Sequence, residues 1–132
     1  MNIDALAAAW MPRLLSVLRI MSGLLLLQHG TAKYLTIPVV PSMANVQPTS
    51  LSGIAGILEL VGGVLLILGL FTRPTAFILS GMCAAAYFLA HAPKGFYPIL
   101  NGGELAVLYC FVFLYISAAG AGPWSVDAAR KK

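Results

Sequence analysis

Charge is what this sequence has least of. Asp, Glu, Lys and Arg together make up 9% of its 132 residues, against roughly 25% in an ordinary soluble domain. Hydrophobic residues make up 60% and the mean hydropathy is +0.91, so lipid and not water is the solvent this composition suits. A soluble enzyme and a nucleic-acid module are thereby excluded. The net charge of +4 does not reopen the second, because the basic residues stand singly except for Arg130, Lys131 and Lys132 at the C-terminus, a run that reads as a topology signal. Cysteine is nearly absent. Cys83 and Cys110 both lie in apolar runs, which gives neither a secreted disulfide framework nor the ligand spacing of a zinc site, so no metal is expected.

What the chain does have is long apolar stretches, each near the 20 residues that a bilayer core of about 30 Å requires. Four are expected, at 14–35, 53–71, 75–91 and 101–119, in a single domain spanning residues 1–132. Thr72, Arg73 and Pro74 alone separate the second from the third, which makes that pair an antiparallel hairpin. Residues 36–52 form the longest connection, with Pro38, Pro41 and Pro48 and no charge, and read as a loop with room for one helical turn. Residues 2–11 read as an amphipathic lead-in helix. A cleaved signal peptide is the competing reading of that region, but Asp4 interrupts the leader and the first apolar run is long enough to span.

Four alternating crossings put Arg13, Arg73, Arg130, Lys131 and Lys132 on one side and leave only Lys33 and Lys94 on the other. The positive-inside rule then sets both termini in the cytoplasm. Trp10 and Trp124 suit the inner interface. The expected fold is all-α: an integral four-helix bundle of the inner (plasma) membrane, crossing it several times.

Ionisable groups inside membrane helices are costly, so their distribution over helix faces carries information. At 100° per residue, Ser16, Arg19, Ser22, Gly23, Gly30 and Lys33 share one side of the first span, with His29 at its edge. Ser52, Gly56, Glu59 and Gly63 form a stripe on the second, where small residues permit close backbone approach. Ser80, Ala84, Tyr87 and His91 align on the third. Glu104, Phe111 and Tyr115 align on the fourth, with Asn101 one turn above. If these faces turn inward, His29, Lys33, Glu59, His91, Asn101 and Glu104 gather in a polar pocket in the outer half of the bundle. The same groups also suit a purely structural role, pairing with one another to fix helix register. Arg19 stands alone in the inner half. It is expected to pair with Asp127 or to snorkel toward the headgroups. Tyr109, Phe111, Phe113 and Tyr115 read as packing or lipid-facing residues, although an aromatic wall would also suit a flat quinone ring. Cys83 and Cys110 fall near the midplane, where a redox pair competes with simple packing.

Taken in order, Arg19 with Gly23, the His29-Gly30 to Lys33 segment, Glu59-Leu60-Val61-Gly62-Gly63, Gly69-Leu70, Thr72-Arg73, Asn101-Gly102-Gly103-Glu104 and the closing Gly122-Pro123-Trp124-Ser125-Val126-Asp127 resemble the DoxX family over nearly the whole chain. The resemblance implies a small four-helix membrane protein, usually bacterial. The family is named after a subunit of an archaeal thiosulfate:quinone oxidoreductase, and other members are linked to membrane redox complexes and thiol stress. With no bis-histidine haem pair and no flavin or iron-sulfur motif, electrons would pass through a bound quinone or a partner redox subunit.

Three functions follow as expectations. The first is a redox component whose outer pocket holds a quinone headgroup, with Glu59 and Glu104 accepting protons and His29 or His91 donating hydrogen bonds. The second is a non-enzymatic adaptor that docks a partner through the 36–52 loop. The third is a small-solute or proton pathway, for which four helices would call for a homo-oligomer.

Overall fold

A computed structural model describes residues 2–131. Lys132, expected among the cytoplasmic cations, lies outside the described residues. The first helix, α1 (Ile3–Tyr34), opens where the Asn2 side chain accepts a hydrogen bond from the Asp4 N–H at 2.9 Å, and the Asp4 carboxylate in the first turn complements the helix dipole. The lead-in segment and the first span are therefore one helix, although two were expected. Pro12 does not break it, since its first three turns are exposed and water can satisfy the carbonyl left without a donor. At 1.5 Å per residue the 32 residues reach about 48 Å, which overshoots a bilayer core by several turns.

A short 3-10 turn at Pro41–Met43 interrupts the following loop. The second helix, α2 (Leu51–Leu68), starts at Ser50, whose hydroxyl accepts from the Gly53 N–H at 3.0 Å. It ends at Gly69, which takes the left-handed conformation (φ +68°) and returns its N–H to the last turn. This is a glycine C-cap, and it closes the helix three residues before the expected boundary. Helix α3 (Thr72–Ala86) begins at once. Thr72, Arg73 and Pro74, expected as the connection, are its first turn, where proline's missing N–H would have no partner in any case. Residues 69–71 make the connection instead. The helix then widens into a π turn over Tyr87–His91 and tightens into a 3-10 turn at Ala92–Lys94.

A single-turn helix, α4 (Pro98–Asn101), precedes α5 (Glu104–Ala119) and the short α6 (Val126–Arg130). Asn101 thus belongs to the connection and not to the last long helix. No strand occurs among the described residues. The α1 and α2 helices and the combined Thr72–Lys94 segment are long and apolar enough to cross a membrane, and α5 is a shorter apolar helix of 16 residues.

The long helices pack as two antiparallel pairs, α1 with α2 and α3 with α5. In the first pair backbone meets backbone. A Cβ on Gly63 would stand 3.0 Å from the Leu27 Cα and 3.2 Å from the Gly23 carbonyl, and one on Gly30 would stand 3.0 Å from the Gly56 carbonyl. In lipid, where apolar side chains gain nothing by leaving solvent, such close approach is a main source of association. Leu26, Leu66, Leu79, Tyr109, Phe113 and Ile116 form the core that joins the pairs. Ile57, Val61, Val64, Phe77, Leu108 and Phe111 face outward and exposed, as a lipid-facing belt would.

Candidate functional site

The two ends of the molecule treat their polar groups differently. The distal end, bearing the 36–50 loop and the 92–103 connection, contains a cavity of about 240 Å³ reached by all four long helices. His29 from α1, Glu59 from α2, Cys83 and His91 from the α3 segment and Tyr109 from α5 line it, and Met43 of the loop closes one side. No three His, Cys, Asp or Glu side chains among the described residues converge as a metal's ligand set.

Glu59 is only 5% exposed and pairs with Lys33, Nζ to Oε1 2.7 Å. The Lys33 ammonium also donates to the Ser52 carbonyl at 3.2 Å. Gly56 makes the pair reachable, since a Cβ there would meet the Lys33 stem at 3.0 Å and the Tyr34 ring at 2.8 Å. Tyr34 itself donates to the Gly53 carbonyl at 2.6 Å. This is the salt bridge among the described residues, and it lies at the edge of the cavity with only the carboxylate in its wall.

Both imidazoles are fixed through Nδ1, His29 on the Leu25 carbonyl at 3.0 Å and His91 on the Asn101 carbonyl at 3.1 Å. A carbonyl only accepts, so Nδ1 carries a proton in each ring, and Nε2 makes no hydrogen bond to another described residue. Tyr109 is 7% exposed, its hydroxyl has no hydrogen-bond partner, and its ring meets His29 edge-on with centroids 6.2 Å apart. A buried hydroxyl without a partner is uncommon and calls for an explanation.

Three expected members of the pocket do not line it: Lys33, which stays at its edge, Glu104 and Asn101. Glu104 stands exposed beside Pro98, Leu105 and Phe111 on the outer side of α5. Five residues at 100° each turn it about 140° from Tyr109, and the first turn of a helix is a favourable place for a solvated carboxylate. Aligning the helix on its one charge chose the wrong face: the buried stripe is Tyr109, Phe113 and Ile116, whereas Phe111 and Tyr115 are exposed. Asn101 is buried but fully engaged. Its amide donates to the Gly95 carbonyl at 2.9 Å and the Tyr87 hydroxyl at 3.2 Å, and its carbonyl accepts from the Gly103 N–H at 2.8 Å. It ties the connection together and positions His91. Both cysteines are free thiols; Cys83 lines the cavity and Cys110 does not.

At the terminal end Arg19 is completely buried. It makes no direct contact with Asp127, contrary to expectation, and it does not snorkel. Its guanidinium donates to the carbonyls of Leu66 at 2.7 Å, Trp124 at 2.7 Å and Ala121. Leu66 belongs to the last turn of α2, where backbone carbonyls concentrate negative charge. Asp127 is occupied otherwise, accepting from the backbone N–H groups of Phe71 at 3.0 Å and Thr72 at 2.9 Å. Partial burial pushes its carboxyl up, but those hydrogen bonds and the nearby Arg130 outweigh this and hold it below the usual carboxylate range. Ser16, also buried, accepts from the Trp124 N–H at 3.1 Å. Together these contacts fold residues 120–127 back against α1 and α2.

The family model for DoxX matches residues 14–92, which carry Arg19, the Lys33–Glu59 pair and both histidines. The chain belongs to the DoxX family. With its apolar helices, it is a membrane protein. An uncharacterized protein of Haemophilus influenzae is 49% identical over 122 residues, covering 88% of this DoxX chain and 90% of the relative. A second uncharacterized protein of that organism is 35% identical over 74 residues, covering 56% of this chain and 49% of the relative. No solved structure matches it.

Proposed function

We propose that this DoxX protein is a component of a membrane redox system that holds a quinone headgroup in the distal cavity. On this reading it crosses the bacterial inner membrane four times with both termini in the cytoplasm. The charge distribution supports that orientation: Arg13, Arg73, Arg130 and Lys131 lie at the terminal end, while Lys33 and Lys94 lie at the distal end and Lys33 is neutralised by Glu59.

The observation that carries the reading is the unpartnered Tyr109 hydroxyl in the wall of a cavity that also presents both imidazoles and Glu59. A quinone ring offers two carbonyl acceptors, and its reduced form two hydroxyl donors. Tyr109 would donate to the carbonyl. The Nε2 atoms of His29 and His91 would accept from the hydroxyls, and Glu59 would take up a proton while Lys33 balances its charge. Electrons would enter or leave through a partner redox subunit, and the exposed Ile37 and Val39 of the loop offer apolar surface for such a partner.

Tyr109→Phe tests this without confounding stability, because it deletes a hydroxyl that no protein group satisfies. Purified in mild detergent, the parent is expected to retain quinone in near-stoichiometric ratio by lipid mass spectrometry. The variant should fold as well or better yet bind roughly ten-fold more weakly, the equivalent of about one buried hydrogen bond. Quinone no higher than in an unrelated membrane protein, or equal retention by Tyr109→Phe, would remove the reading and favour the adaptor.

A further inference from the structure

A cavity of about 640 Å³ lies at the terminal end, between the start of α3, the end of α5 and α6. We infer that it is a binding site for the headgroup of an anionic phospholipid. Three cations line it, Arg73, Arg130 and Lys131, together with a single carboxylate, Asp127.

The state of those four groups matters more than their number. Asp127 faces the first turn of α3, and its two oxygens are held by the Phe71 and Thr72 N–H groups. Its charge is thereby matched locally. Arg73 directs one terminal nitrogen to the carbonyls of Ser117 and Ala118 at the end of α5. Its other terminal nitrogen and Nε remain, lying 3.0 and 3.6 Å from where a Cβ on Gly120 would stand. Gly120 (φ +90°), with no side chain, lets the guanidinium lie close against the backbone there. The Arg130 guanidinium sits over the Phe71 ring with its central carbon 5.2 Å from the centroid. A cation–π contact uses none of the guanidinium N–H donors in a hydrogen bond, and neither Arg130 nor Lys131 makes a side-chain hydrogen bond to another described residue, so their donors remain for a phosphate. Among the described residues these cations therefore form no salt bridge, and the one carboxylate of the lining, Asp127, acts on Arg130 only through space while its oxygens are held by backbone N–H groups.

The surroundings choose lipid over free phosphate. Phe71 is exposed at the cavity rim. One turn along α3 on the Arg73 face, Phe77 is 64% exposed, and Gly81 beyond it has nothing within 4 Å of an added Cβ. Leu114 is exposed one turn before Ala118 on α5. An acyl chain leaving a phosphate held by Arg73 and Arg130 would meet apolar surface along this whole path. A phosphodiester with net negative charge answers the excess of cations, which a zwitterionic headgroup does not. The inference requires only that the chain sits in a membrane with this end at a headgroup layer, and it is independent of what the distal cavity holds.

Native mass spectrometry of the full chain in a neutral detergent, titrated with phosphatidylglycerol or phosphatidylcholine, tests it. Phosphatidylglycerol should bind at least ten-fold more tightly than phosphatidylcholine. The double variant Arg130→Gln, Lys131→Gln should lose at least ten-fold in phosphatidylglycerol affinity, since each cation near an anionic lipid contributes about five-fold. Arg13→Gln removes a cation from the same end but outside the cavity, and should change the affinity less than two-fold. The charge-retaining exchange Arg130→Lys, Lys131→Arg, which guards against a folding artefact, should keep the binding. Equal affinity for the two lipids, an equal loss in Arg13→Gln, or loss in the charge-retaining exchange would overturn the inference. So would displacement of the lipid by millimolar inorganic phosphate, which would identify a site for free phosphate instead.

Discussion

Arg19 is a full positive charge with no exposed surface and no carboxylate in contact, so its removal tests how this fold tolerates buried charge. Arg19→Met keeps the stem and most of the volume but deletes the donors to the carbonyls of Leu66, Ala121 and Trp124. A buried acceptor left without its donor costs about 1–3 kcal/mol. The three losses are unequal. The Leu66 carbonyl keeps the Gly69 N–H at 3.2 Å, and Trp124 is half exposed, so water can replace the guanidinium there. Ala121 keeps only the long bond from the Ser16 hydroxyl, at 3.4 Å. The total should fall near about 3–5 kcal/mol, the range for breaking a buried charge network from one side. Arg19→Lys should be intermediate, because a single ammonium cannot reach three carbonyls fanned around a planar fork. Unfolding by sodium dodecyl sulfate titrated into dodecylmaltoside micelles, followed by circular dichroism, gives the size of the loss. Hydrogen exchange gives its place, with residues 120–131 losing protection before the long helices do. The reasoning is refuted if Arg19→Met stays within about 0.5 kcal/mol of the parent, or if protection falls evenly along the chain.

The other buried charge calls for a cycle. Glu59→Gln strands the Lys33 ammonium beside a neutral amide and should cost about 2–4 kcal/mol, at the lower end for a buried pair because the Ser52 carbonyl and the nearby surface still serve the lysine. Adding Lys33→Met should recover part of that loss in the same unfolding assay; strictly additive losses would mean that the pair is not coupled. At the terminal end Asp127 makes the α3 start sensitive to pH. Its folded-state pKa is lowered, so its stabilisation is complete above the ordinary Asp value and is lost as pH falls below it and through the folded value. Asp127→Asn should cost about 0.5–2 kcal/mol at pH 7, as loss of a helix cap does, and the gap from the parent should close below about pH 4. A gap independent of pH would show that the carboxylate charge is not what caps the helix.

Much of the fold was legible because membrane solvation leaves few choices. Long apolar runs must be helices, and the glycine stripe through Gly56 and Gly63 announced a close contact with another helix, which the structure shows to be α1. The helix ends were less legible. Gly69 stops α2 early by adopting φ +68°, and Thr72–Pro74 reads as a breaker although the same residues make a sound first turn. Within the site, Glu59 and both histidines were found by phase. Glu104 was misplaced because a charge inside a membrane span must turn inward, whereas a charge at the first turn need not. Tyr109 was missed for the converse reason: on a helix apolar all round, with little amphipathic signal, a tyrosine at a buried position looks like packing until its hydroxyl is found without a partner.

The two buried cations are handled by opposite means, and the difference supports the distal end as the place of the proposed chemistry. Arg19 is held entirely by backbone carbonyls, acceptors that cannot change protonation state, and its planar fork joins three chain segments; this is a fixed structural joint. Lys33 is held by Glu59, and that carboxylate forms part of the wall of a cavity lined also by His29, His91 and Tyr109, whose buried hydroxyl has no partner among the described residues. Lys33 also keeps the Ser52 carbonyl and lies near the surface, whereas the terminal joint is closed. A bundle built only to be stable would gain nothing from that asymmetry, since an apolar replacement of the Lys33–Glu59 pair would serve as well or better. Retaining a titratable group at the edge of a polar cavity is the arrangement expected where protons are exchanged.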